Sequence, residues 1–186
     1  AALGGGEHNT LGVARLFAAT AAVRAITFEM RSSSAFWGLL VAHRAEVHQT
    51  VAVTKWAVDS FGAEAPVVLL GSSAGAPIAG SALASLPPLP YVAVGYTFGG
   101  IAAIGFGRHF GAVLRAPCPK LFIQGGADEF TSPRVLRRRV AQAAGEENEV
   151  VIVDDVGHFE LESSAYDGLV ARTVLGWLES RGFTLK

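Results

Sequence analysis

The sequence predicts an α/β fold, a mostly parallel sheet with helices on both faces. Short apolar runs, Pro66-Val67-Val68-Leu69-Leu70, Lys120-Leu121-Phe122-Ile123 and Glu149-Val150-Val151-Ile152-Val153, alternate with longer stretches of helical spacing, the pattern of strands joined by crossover helices. At 186 residues and 51% hydrophobic, the chain is long and apolar enough to bury a sizeable core. Its length suits one domain, and no internal repeat or low-complexity linker divides it, so residues 1–186 are read as a single domain.

The elements follow in order. Asn9 or Thr10 is placed to cap a helix whose Val13, Leu16, Phe17 and Thr20 share a face. Residues 25–30 read as a strand. A helix from about Arg44 to Ser60 carries Val47, Val51 and Val58 on one stripe, and the strand of 66–70 comes next. A small-residue helix from Ala74 to about Leu86 is stopped by Pro87-Pro88. Tyr91 to Phe98, rich in β-branched and aromatic residues, reads as another strand. Gly99 to Pro119 has room for one helix but not for a lid domain, which predicts an open site. Ser132-Pro133 starts a helix with Leu136, Val140, Ala143 and Ala144 at helical spacing, ended by Gly145. The last helix sets Tyr166, Val170, Val174, Trp177 and Leu178 on one face.

Chemistry enters at Gly71-Ser72-Ser73-Ala74-Gly75, between an apolar strand and a helix. A serine hydroxyl becomes a useful nucleophile when a tight strand-to-helix turn exposes it beside a base, and glycines two before and two after relieve the crowding of that turn. The glycine register selects Ser73, because Ser72 would be flanked by Leu70 and Ala74. Two partners follow in the chain order Ser, acid, His. Asp128 lies on the loop Gln124-Gly125-Gly126-Ala127-Asp128 after one strand, and His158 on the loop Asp154-Asp155-Val156-Gly157-His158 after the next. In an open α/β sheet such loops converge at the carboxyl ends of the strands. His158 is then the base for Ser73, and Asp128 fixes its tautomer and stabilises its charge. A helix-capping carboxylate is the other reading of Asp128, and a buried structural histidine that of His158. Asp154 and Asp155 read as turn residues.

The segments Gly71 to Gly75, Gly125 to Asp128 with Thr131-Ser132, and Gly157-His158-Phe159 resemble the α/β-hydrolases, in particular the small, cap-poor serine hydrolases of plants and bacteria. The resemblance covers nearly the whole chain. Leu3-Gly4-Gly5-Gly6 and Ala25 to Arg31 look like the oxyanion loop and fourth strand of that family. Two departures stand out: Ser32-Ser33-Ser34 follows Arg31 where relatives have a glycine-rich turn, and the chain starts almost on the oxyanion loop. The resemblance therefore implies a domain lacking its N-terminal strands, with an exposed sheet edge or a partner chain beside residues 24–31. It implies a backbone oxyanion hole with donors at Ala74 and at Leu3 or Gly4. Trp37, Ile101, Ile104, Phe106 and Phe110 would supply an apolar substrate wall, although apolar residues at helical spacing more often face a core.

Other classes of function find little support. A formal charge of −1 gives no field to recruit nucleic acid or an anionic membrane, and Arg134, Arg137, Arg138 and Arg139 read as a solvated helix face. No run reaches the roughly 18 apolar residues of a membrane span. Cys118, the single cysteine, stands between Pro117 and Pro119 as a structural thiol, which suggests a reducing, intracellular compartment, the cytoplasm or an organelle. His8, His43, His48 and His109 have no metal-site spacing, and Gly4-Gly5-Gly6 lacks the lysine of a phosphate loop, so no metal or cofactor is expected. The expected activity is cleavage of a carboxylic ester or thioester through an acyl-enzyme. The alternative is a hydrolase-fold scaffold subunit of a larger assembly, suggested by the missing strands and a mean hydropathy of +0.38.

Overall fold

A computed structural model describes residues 8–20, 23–28, 44–62, 65–100 and 102–184. Helix α1 (His8–Ala18) and helix α2 (Arg44–Phe61) precede strand β1 (Leu69–Ser72). Helix α3 (Gly75–Ala82) ends in a 3-10 turn over Leu83–Ser85, and β2 (Tyr91–Val94), α4 (Ala102–Arg115), β3 (Lys120–Gly125), α5 (Pro133–Val140) and β4 (Asn148–Val153) follow. The one-turn helix α6 (His158–Leu161) and the long helix α7 (Asp167–Ser180) complete the described chain.

The four strands form one parallel sheet in the order β1-β2-β3-β4, with Leu69 opposite Tyr91, Tyr91 opposite Lys120, and Lys120 opposite Asn148. Strands added always in the same direction through right-handed crossovers put their connecting helices on one face. Side-chain alternation shows which. Leu69, Tyr91, Ala93 and Phe122 meet Val51 and Val58 of α2, Ala76 and Ala79 of α3, Phe110 and Val113 of α4, and Leu136 and Val140 of α5. The alternate residues Val92, Val94, Leu121 and Ile123 face Val13 and Phe17 of α1 and Val170, Val174, Trp177 and Leu178 of α7. The sheet is thus covered on both faces, as a parallel sheet requires.

Several expectations need correction. Helix α1 begins at His8, so Asn9 and Thr10 lie inside its first turn, and Leu16 is exposed while Val13 and Phe17 make the buried face. Residues 23–28 form no strand, and residues 29–31 lie outside the described residues. The expected strand Tyr91 to Phe98 stops at Val94 because Gly95, at φ 60°, turns the backbone away from the ladder. Helix α5 ends at Val140 rather than near Gly145, because the Asn148 side chain donates to the carbonyls of Ala143, Ala144 and Gly145 and draws that segment toward β4. Its start is as expected, with Ser132 as N-cap accepting from the Val135 amide and Pro133 at the first turn. Among the described residues no helix is long and apolar enough to cross a membrane.

Candidate active site

Four loops leave the carboxyl ends of the four strands and meet there. The first is the tight turn from β1 into α3. A Cβ at Gly71 would stand 2.7 Å from the Gly75 carbonyl oxygen and from the Ala76 Cα, so only glycine lets the helix fold back this closely. Tyr91, at the start of β2, reaches under α3 and donates to the Ala76 carbonyl at 2.6 Å, pinning the helix to the sheet. Between them Ser73 adopts φ 49°, in the left-handed region that costs a non-glycine residue about 1–2 kcal/mol. That conformation separates the two serines. Ser72 donates to Glu162 Oε1 at 2.8 Å, whereas Ser73 Oγ lies 2.7 Å from His158 Nε2.

The acid and histidine loops are joined through their backbones. A Cβ at Gly125 would fall 2.3 Å from the Val156 carbonyl oxygen, and one at Gly126 would fall 3.1 Å from the Asp154 Cα. The two glycines therefore let the loops touch, and the amides of Gly126 and Ala127 donate to the carbonyls of Val153 and Val156. Asp128 Oδ1 accepts from the amides of Phe130 and Thr131 at 2.8 and 2.7 Å, which aims Oδ2 at His158 Nδ1, 2.7 Å away. Ser73, Asp128 and His158 are all buried, and a Cβ at Gly95 would lie 3.1 Å from the imidazole Cε1. Three residues expected together from sequence are thus brought into one hydrogen-bonded line. Asp154 and Asp155 are exposed on the turn after β4.

The electrostatics follow from this burial. Burial alone would push the His158 imidazole down, but the hydrogen bond and charge of Asp128, with the carboxylates of Glu162 and Glu129, hold it above its ordinary value. Glu129 accepts from the His158 amide at 3.0 Å, and that bond holds its own carboxyl below the usual range. Thr131 Oγ1 accepts from the amides of Phe98 and Gly99, while Gln124 accepts from the Tyr96 amide and donates to the Thr131 carbonyl. Glu129, Thr131 and Gln124 fix the acid loop against its neighbours. Their sequence signal is slight, because a side chain that bonds backbone leaves no spacing to read; only Thr131, beside Ser132 in a recognised motif, stood out.

The remaining candidates divide. Ala74 stands at the N-cap of α3 with φ −58° and ψ −29°, directly after Ser73. Leu3, Gly4, Trp37 and Ile101 lie outside the described residues. Phe106 is half-buried and packs against the core, Phe110 belongs to that core, and Ile104 is 78% exposed. Core packing therefore accounts for Phe106 and Phe110. Among the described residues no group of three His, Cys, Asp or Glu side chains is arranged to hold a metal ion.

The sequence matches no protein-family model and no curated protein. Solved structures do resemble it. An α/β serine hydrolase homologue from Coxiella burnetii aligns at TM-score 0.59 and 19% identity over 81% of this chain, the match spanning 65% of that protein. An esterase from Pyrococcus furiosus aligns at TM-score 0.70 and 13% identity, over 94% of this chain and 77% of that one. A serine hydrolase without a lid from Xanthomonas campestris aligns at TM-score 0.57 and 20% identity, over 83% and 63%. With its parallel sheet and its tight strand-to-helix turn between β1 and α3, the chain has the α/β-hydrolase fold.

Proposed function

We propose that this protein is a serine hydrolase that cleaves a carboxylic ester or thioester of a small to medium apolar acyl group. The observation that carries the reading is the continuous line Asp128 Oδ2, His158 Nδ1, His158 Nε2, Ser73 Oγ, with both contacts at 2.7 Å. Ser73 Oγ attacks the carbonyl carbon while its proton passes to His158 Nε2, and Asp128 stabilises the resulting imidazolium. Collapse of the tetrahedral intermediate breaks the bond to the leaving group, which departs with the proton from His158. A water activated by the same imidazole then releases the acid and restores Ser73. The amide of Ala74, next to the nucleophile, is the first oxyanion donor, and the Leu3 to Gly5 loop is the source of the second. The esterase and serine hydrolase neighbours support this reading at the level of fold.

The test is turnover of a chromogenic short-chain ester and of the matching thioester by the wild type and by Ser73→Ala. Loss of both in the variant supports the reading, and a residual rate equal to wild type overturns it. A well-folded wild type that turns over neither ester would leave the scaffold subunit as the better account.

A further inference from the structure

Five large apolar side chains are conspicuously exposed among the described residues, and one of them adjoins the reacting groups: Phe159, 54% exposed, immediately after His158. Its ring stands edge-on to the imidazole, with centroids 5.3 Å apart and planes at 88°. Phe130, from the acid loop, stands 4.6 Å from the same imidazole at 70° and 5.8 Å from Phe159 at 85°. The other sides of His158 are occupied. Nδ1 faces Asp128, Nε2 faces Ser73, and Cε1 lies against Gly95. The two phenyl rings are thus the apolar groups that carry the surroundings of the imidazole outward to solvent.

We propose that Phe159, backed by Phe130, is a platform for the leaving group and selects substrates whose departing alcohol or thiol is aromatic or otherwise flat and apolar. The inference rests on the hydrolase reading and deepens it. During acylation Ser73 Oγ bonds the carbonyl carbon, the carbonyl–oxygen or carbonyl–sulfur single bond breaks, and the proton taken by His158 Nε2 is handed to the departing atom. The departing atom must therefore lie within hydrogen-bond reach of Nε2. The group attached to it emerges on the histidine side of Ser73, where the exposed ring is. An exposed phenyl beside a flat apolar group offers edge-to-face or offset contact, and a small aliphatic group gains far less from it. A consequence separates this role from mere support of the loop. Once the leaving group has gone, the acyl-enzyme is the same whatever alcohol the ester carried, so a leaving-group platform acts on acylation and not on deacylation.

The experiment uses phenyl acetate and trifluoroethyl acetate, two activated esters with one acyl group, on the full chain and on Phe159→Ala and Phe159→Trp. Stopped-flow bursts separate acylation from deacylation. In Phe159→Ala the kcat/KM for phenyl acetate should fall about three- to ten-fold, with trifluoroethyl acetate and the common deacylation rate unchanged. Phe159→Trp should keep or raise the preference for the aryl ester. Equal losses on both esters, slowed deacylation, or no change would overturn the platform while leaving the hydrolase intact. Failure of both esters to acylate Ser73 in the wild type would overturn the hydrolase reading and this inference together.

Discussion

Strand β3 has a buried ionisable side chain at its start and another on the loop just past its end, and the two are satisfied in different ways. At its start the Lys120 ammonium donates to the carbonyls of Ala116, Cys118 and Ala144 at 2.6, 2.9 and 2.7 Å and to Asn148 Oδ1 at 3.2 Å. Beyond its end, Asp128 gives one oxygen to two backbone amides and the other to His158. Burial pushes Lys120 below its ordinary value, but every acceptor around it is a neutral oxygen that cannot take its proton. The lysine is a closed knot that ties β3, the turn after α5 and β4 together. Asp128 is half of such a knot: Oδ1 is structural, while Oδ2 holds a group that titrates and whose far nitrogen faces a hydroxyl. A buried charge enclosed by backbone builds structure, and one that shares a titratable partner is open to chemistry.

That contrast can be broken first at Ser73, the proposed nucleophile. Ser73→Ala should reduce ester turnover by about a million-fold, as in triads that act as a unit, measured against a chromogenic ester, whereas Ser72→Ala should leave measurable activity. Asp128→Asn should lower kcat by about ten thousand-fold and leave the thermal transition nearly in place, because the amide oxygen of asparagine can still accept from Phe130 and Thr131. Asp155→Asn should cost far less. If it proves the more damaging change, the acid comes from the histidine's own loop.

Lys120→Met should do the opposite of Asp128→Asn. Unpairing several buried carbonyls should remove roughly 2–4 kcal/mol of stability in urea unfolding, with kcat of the folded protein unaltered. A fall in kcat at full stability would refute the division between the two ends of β3.

The pH dependence sharpens the same point. His158 must be neutral to take the proton, so kcat/KM should rise with pH through a value above 6.5. Glu162→Gln removes one of the carboxylates that raises it and should shift that limb to lower pH. Linkage gives the sign for folding: a pKa raised in the folded state contributes stability present in full below 6.5 and lost as pH rises through the folded value. Urea midpoints of wild type and His158→Gln across that window check it. The smallest effect concerns backbone strain. Ser73→Gly should be more stable than Ser73→Ala by about 1 kcal/mol, since glycine accepts φ 49° freely.

The meeting of Ser73, Asp128 and His158 was legible in the sequence because the residues expected to meet are framed with glycine. Gly71 forces the choice of Ser73 over Ser72, and Gly125-Gly126 and Gly157 mark loops that leave strands. What escaped reading were partners without a spacing rule. Glu129 works by accepting a backbone amide, Glu162 by accepting from Ser72, and Lys120 looked like the ordinary first residue of a strand. Periodicity misjudged length where one residue intervened, Gly95 cutting β2 short and Asn148 drawing in the turn after α5. The apolar residues of α4 illustrate a further limit: Ile104, Phe106 and Phe110 share a helix, yet one faces solvent and the other two join the core.

The central claim is that Ser73 is an activated nucleophile. Treating the wild type with a fluorophosphonate and locating the adduct by tandem mass spectrometry of the peptide spanning 66–86 tests it most directly. The account predicts one phosphonyl group on Ser73, formed faster as pH rises through the raised value of His158 and lost in His158→Gln. An unmodified Ser73 in folded protein, or an adduct on Ser72 in its place, would contradict it.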